Sequence, residues 1–247
     1  MPELKNLDKL DSRIKTLLEP YLNKLMKIHQ GNIVSIFLCG DATGVDFVHK
    51  FSPITLFVIL EKLEFRDLQQ SLSLVSQGIR KKIAAPLFLT RRHIQTSTDV
   101  FPMEFLEIKE NHILLYGEDL WEALEINPAN IRLFCEEQIK GKLIHIRQAY
   151  LEIGRKKKGV EALLKESLDA LTPVLRNLLR LKSKVPPVLK EEIYRRAAAE
   201  FDFDPAVFLA ILKDTKNDEK IGAQNVEVVF EKYLEQIQQL AVAVDQL

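Results

Sequence analysis

Residues 33 to 60 read IVSIFLCGDATGVDFVHKFSPITLFVIL, two apolar, β-branched runs separated by a loop that carries Gly40, Asp41, Gly44 and Asp46. The pattern is that of two strands presenting their connecting loop to a ligand. Around this loop lie the other groups with chemical potential. Thr55 opens the second run, but no histidine is near it in sequence to act as its base, so a packing role is expected. The histidines His29, His49, His93, His112 and His145 contain no pair at the four-residue spacing of a helical metal site. Cys39 and Cys135 stand far apart, without partner histidines at zinc spacing, and read as buried thiols. Arg91-Arg92-His93 follows a short strand and is expected to face the ligand side. The basic run Arg155 to Lys158 sits at a helix end, where cations complement the helix dipole.

The elements that must position these groups follow from periodicity. Leu7, Leu10, Ile14, Leu17, Leu18, Tyr21, Leu22, Leu25 and Met26 recur at three and four, predicting an amphipathic helix from Leu4 to Ile28 that Pro20 kinks or divides. Strands are expected at Ile33 to Leu38 and Ile54 to Leu60, and a helix from Glu64 to Ile79. A third strand begins at Pro86, and a fourth covers Met103 to Ile108. HILLYG at 112–117 reads as a fifth strand or a short helix. This order argues for a mixed sheet with helices packed against it.

Past Asn127-Pro128, an N-cap followed by proline at the first helical position, no further strand is predicted. Helices are expected at Ile131 to Ile153, Val160 to Leu181, Val188 to Phe201, from Asp204-Pro205 to Leu212, and at Val226 to Val244. Five helices are enough for a bundle. The expected organisation is therefore an α/β domain over residues 1–125 and an all-helical domain over 126–247, with the single tryptophan, Trp121, as core at the junction between the two halves.

The 247 residues carry 35 basic and 35 acidic side chains, a formal net charge of zero, and 47% hydrophobic residues. Neither half is strongly basic, which argues against nucleic acid as a partner. The polar amino terminus and the absence of a long apolar run point to a cytoplasmic protein without a membrane partner.

The Gly40-Asp41 pair, the interval Ala42 to Ser52 and the Pro53-Ile54-Thr55 triplet resemble the signature of the nucleotidyltransferase superfamily, related to DNA polymerase beta and kanamycin nucleotidyltransferase. In that superfamily a Gly-Ser pair precedes, after roughly ten residues, an Asp-hydrophobic-Asp triplet. The resemblance implies a mixed-sheet α/β domain followed by a helical bundle. It also implies a metal site, because strand residues two apart share a face and two aspartates there jointly hold Mg²⁺. In this chain the two aspartate positions are Pro53 and Thr55, and Asp41 stands where the family has the phosphate-binding serine. The family's third carboxylate corresponds to Glu104 or, one face over, Glu107.

The resemblance thus implies a fold retained around a degenerate site, with Gly40 and Asp41 as a vestigial nucleotide loop, no intact catalytic residue, no metal ligand set and no cofactor expected. The function expected is that of a pseudoenzyme acting as a regulatory or scaffold protein, with a protein partner or as a homodimer. Two alternatives stand beside it. One is Mg²⁺-dependent transfer of a nucleoside monophosphate from an NTP through a rearranged site that recruits Asp41 and Asp46. The other is a cleft, acidic through Asp41 and Glu104, that binds a small molecule without phosphate.

Overall fold

The computed structural model describes residues 3–40, 54–216, 220–221 and 226–247. The chain divides into two compact units, Met1–Ile126 and Asn127–Leu247. The first is built on a four-stranded mixed sheet and the second is entirely helical among the described residues.

In the first unit the long helix α1 (Ser12–Ile28) begins at Asp11, whose carboxylate accepts the Arg13 amide at 2.9 Å. Pro20 neither breaks nor divides it; the helix is continuous. Both Pro20 and Thr16, whose carbonyl loses its helical donor, are exposed, so water can satisfy that carbonyl. Ile14, Leu18, Leu22 and Leu25 face inward, onto strands β1 (Ile33–Cys39) and β2 (Thr55–Leu60). Helix α2 (Phe65–Ile79) covers the same side, its first turn locked by reciprocal bonds between Glu64 and Asp67.

The strand order is β3-β2-β1-β4, with β3 at Leu87–Thr90 and β4 at His112–Gly117. β1 runs antiparallel to both β2 and β4, whereas β3 runs parallel to β2. Side chains alternate between two faces, apart from register shifts at Ile33/Ser35 and Ile36/Phe37. Ile36, Leu38, Leu56, Val58 and Leu115 pack under α1 and α2, while Phe37, Cys39, Ile59 and Leu89 form a second core with Trp121 and Phe105. Burial on both faces is why the central strands β1 and β2 read as unbroken apolar runs.

One segment differs from expectation, and one open alternative resolves. Met103 to Ile108 is not a strand but the middle of helix α4 (Pro102–Glu110), with Pro102 at its first position and Met103, Phe105 and Ile108 buried. HILLYG, open between strand and helix, is the fourth strand, β4. A short helix, α3 (Arg91–Thr96), occupies the polar stretch after β3, capped by the Thr90 hydroxyl accepting the His93 amide.

The second unit holds α5 (Pro128–Ile153), α6 (Lys157–Leu181), α7 (Lys190–Phe201), α8 (Ala206–Thr215) and α9 (Val226–Asp245). Asn127 caps α5 by accepting the Ala129 amide at 2.9 Å. The central helix is α6, which packs against the other four. Two buried hydroxyl pairs tie it in place, Ser167 to Tyr233 and Thr172 to Tyr194, each at 2.8 Å. Among the described residues no helix is long and apolar enough to cross a membrane.

Candidate functional site

β1 ends and β2 begins at the same end of the sheet. There, Thr55, Cys39 and His112 stand side by side, because Cys39 is the register partner of both Thr55 on β2 and His112 on β4. All three share a face with Phe37 and Phe57, the face covered by Trp121 and α4. Gly40 closes β1 with φ of +73°, a left-handed turn that suits glycine. Asp41, Asp46 and Pro53, which belong to the expected site, lie outside the described residues.

Each group in this row has a defined environment. Cys39 is buried, and burial pushes its thiol up to about 12, so it is a protonated packing residue and not a nucleophile. Thr55 is half-buried. The His112 ring meets the edge of Phe37 at a centroid distance of 5.4 Å and is held at both nitrogens. Nδ1 lies 2.8 Å from the Ile108 carbonyl, and Nε2 lies 2.8 Å from the Asp119 carboxylate. The His112–Asp119 pair was not visible as a motif. Its members come from β4 and the turn after it, and only the fold-back of that turn over Trp121 joins them.

The acid expected to complete a metal site is placed differently. Glu104 stands in the first turn of α4, exposed, while its neighbours Met103 and Phe105 are buried. Its Cα is about 9 Å along the helix from Glu110, the end of α4 that leads into the His112 row. Glu107 is half-buried and accepts the Asn111 side-chain amide at 3.1 Å. Arg91-Arg92-His93, expected to face the ligand side, is at the opposite end of the sheet. Because β3 is parallel to β2, pairing Thr90 with Leu60, its exit lies away from Thr55. Arg91 there reaches Glu61 at 3.4 Å and also Glu118.

None of the four strands carries an aspartate or a glutamate. Among the described residues no group of three His, Cys, Asp or Glu side chains could hold a metal ion. Mg²⁺ takes hard, anionic oxygen ligands in near-octahedral geometry. A threonine hydroxyl, a protonated thiol and an imidazole already bonded at both nitrogens do not supply them. The described residues therefore do not fit the two-acid metal site that the family resemblance implies.

Trp121 is fully buried at the centre of this face, with Phe37, Phe57 and Phe105 around it at centroid distances of 6.1, 6.2 and 5.3 Å. It belongs to the core of the sheet unit. Its indole N–H has no acceptor among the described residues.

No protein-family model matches the sequence, and no curated protein does. Solved structures do resemble it. Spectinomycin adenyltransferase AAD(9) from Enterococcus faecialis, solved with ATP and spectinomycin, is similar over 91% of this chain and 98% of its own, with a TM-score of 0.54 and 11% identity. A nucleotidyltransferase-like protein from Exiguobacterium sibiricum 255-15 aligns over 91% of this chain and 74% of its own, with a TM-score of 0.44 and 10% identity. A mixed sheet with a helical unit after it and the likeness to the adenyltransferase across nearly the whole chain agree: the protein has the nucleotidyltransferase-like fold.

Proposed function

We propose that this chain uses a nucleotidyltransferase-like fold for binding and not for transfer, acting as a regulatory or scaffold protein. The observation that carries the reading is the chemistry of the Thr55–Cys39–His112 row. It offers one neutral hydroxyl, one buried thiol and one fully bonded imidazole, in a sheet whose strands bear no acid. Transfer of a nucleotidyl group needs divalent ions to neutralise the triphosphate and activate the attacking hydroxyl. Removing the strand carboxylates removes their anchors and leaves the scaffold around them intact. The test is incubation with labelled ATP, GTP, CTP or UTP, Mg²⁺ or Mn²⁺ and candidate acceptors. No transfer is expected, and clear metal-dependent transfer would overturn the reading.

The competing reading, transfer through a rearranged site, takes its acids from Asp41 and Asp46 between β1 and β2. It rests on the similarity to an adenyltransferase solved with ATP and spectinomycin. If transfer is detected, Asp41→Asn and Asp46→Asn decide it, since loss of activity in either variant assigns the metal to that loop. Thermal shifts with each NTP, with and without Mg²⁺, separate retained nucleotide binding from its loss, because a ligand selective for the folded state raises its stability.

A further inference from the structure

Helix α5 has two different faces. Ile131, Cys135, Ile139 and Ile146 are buried against the rest of the helical unit. A second line, Leu133, Glu137, Lys140, Ile144, Arg147 and Leu151, points outward. Its three apolar members are 60%, 63% and 80% exposed at Leu133, Ile144 and Leu151 respectively. The spacing along this line is four, three, four, three, four. That is the a/d repeat of a coiled-coil seam, sustained over about 27 Å of helix.

The order of residue types in the seam is self-complementary. Laying α5 antiparallel to a second α5, with the two-fold axis at Lys142, sets Leu133 opposite Leu151, Glu137 opposite Arg147 and Lys140 opposite Ile144, each pairing occurring twice. Apolar meets apolar at both ends, and unlike charges meet between. The one mismatch is eased within the chain. Lys140 is drawn aside by Glu136 at 2.6 Å and Asp245 at 2.8 Å, so its ammonium is satisfied and its methylene stem is left to cover the opposing isoleucine. Glu137 and Arg147 form no ion pair among the described residues.

We propose that the outer face of α5 is an isologous interface between two copies of this chain, an antiparallel helix pair centred on Lys142. The seam lies on α5 alone, whatever chemistry the sheet unit retains. A two-helix contact of this length falls at the low end of specific interfaces, below about 1,200 Å² in total, so the dimer is weak and concentration-dependent.

Sedimentation velocity on the full chain, from about 5 to 500 µM, tests this across the range where such contacts populate. A reversible dimer is expected. Glu137→Arg alone and Arg147→Glu alone each place like charges opposite one another twice and should weaken it about tenfold or more. The two substitutions together restore opposite charges and should return Kd to within about threefold of the parent. Rescue also separates pairing across the interface from repulsion within one chain, since Arg147 lines the same groove as Glu231 and Glu235. A monomer throughout, an assembly growing past the dimer, a dimer indifferent to the single substitutions, or no rescue by the double would each overturn the proposal.

Discussion

One carboxylate, that of Asp119, organises the edge of the site. One oxygen lies 2.8 Å from His112 Nε2, and the other accepts the Trp121 and Glu122 amides at 3.0 and 3.2 Å. The imidazole orientation and the turn that carries the fully buried Trp121 therefore depend on the same side chain. Asp119→Ala should cost about 2–3 kcal/mol, because the part-buried Trp121 amide and the exposed Glu122 amide lose a charged acceptor together with the ring. Asp119→Asn keeps a carbonyl for the amides and should cost less than half of that. Urea denaturation of both variants gives the comparison, and equal losses would mean that the contact to His112, not the turn, dominates.

His29 makes stability depend on pH. The ring is 2% exposed, with Nε2 2.8 Å from the Ser71 hydroxyl and Nδ1 3.6 Å from the Asp67 carboxylate. Burial lowers its pKa below the ordinary value of 6.5, outweighing the pull of Asp67 in the other direction. A folded pKa below the unfolded one means that the unfolded chain binds the proton more readily. The stability contribution is thus present above pH 6.5 and is lost as pH falls from there through the folded value. Urea midpoints at neutral pH and near the folded pKa should diverge in the parent chain. In His29→Gln, which is weaker at neutral pH, the acid-side drop should shrink; an unchanged drop would assign it to other groups.

Two glycines with left-handed backbones should behave differently. Gly117 has φ of +83°, and a Cβ there would run into the Val34 carbonyl across the β1–β4 ladder. Gly40 has φ of +73°, and among the described residues nothing lies within 4 Å of a Cβ there. Gly40→Ala should cost about 1–2 kcal/mol, the left-handed backbone penalty alone. Gly117→Ala adds a backbone clash that only movement of β4 relieves, so its loss should be several kcal/mol, seen as a chain that unfolds early or fails to accumulate.

What the sequence made legible follows from how local each determinant is. The strands at Ile33–Cys39 and Thr55–Leu60 announce themselves because burial on both faces leaves continuous apolar runs, and Asn127-Pro128 marks the start of α5 by its own cap. Met103 to Ile108 misleads because Met103, Phe105, Leu106 and Ile108 satisfy both a two-residue and a helical period; Pro102 at the first helical position is the deciding signal. The position of Arg91 depends on β3 pairing parallel to β2, and the His112–Asp119 contact on a turn folding back across the sheet. Neither is encoded in the spacing of nearby residues. The absence of acids from the strands, by contrast, was plain once the strands were found.

The metal position that the family resemblance implies can be tested by filling it with acids. Thr55 is half-buried next to the buried Cys39, so Thr55→Asp places a carboxylate where it is partly desolvated and without a cation. The variant should lose about 1–3 kcal/mol, and Pro53→Asp with Thr55→Asp should lose at least as much, since a second acid two residues earlier in the sequence adds like charge near the first. If the strand end keeps the geometry of the superfamily's site, millimolar Mg²⁺ or Mn²⁺ should recover part of that loss in the double variant and none in the parent, read as a metal-dependent rise in Tm. A double variant whose Tm ignores both ions would show that the β2 end does not have the geometry of a metal site, and that more than two side chains separate this sheet from transfer chemistry.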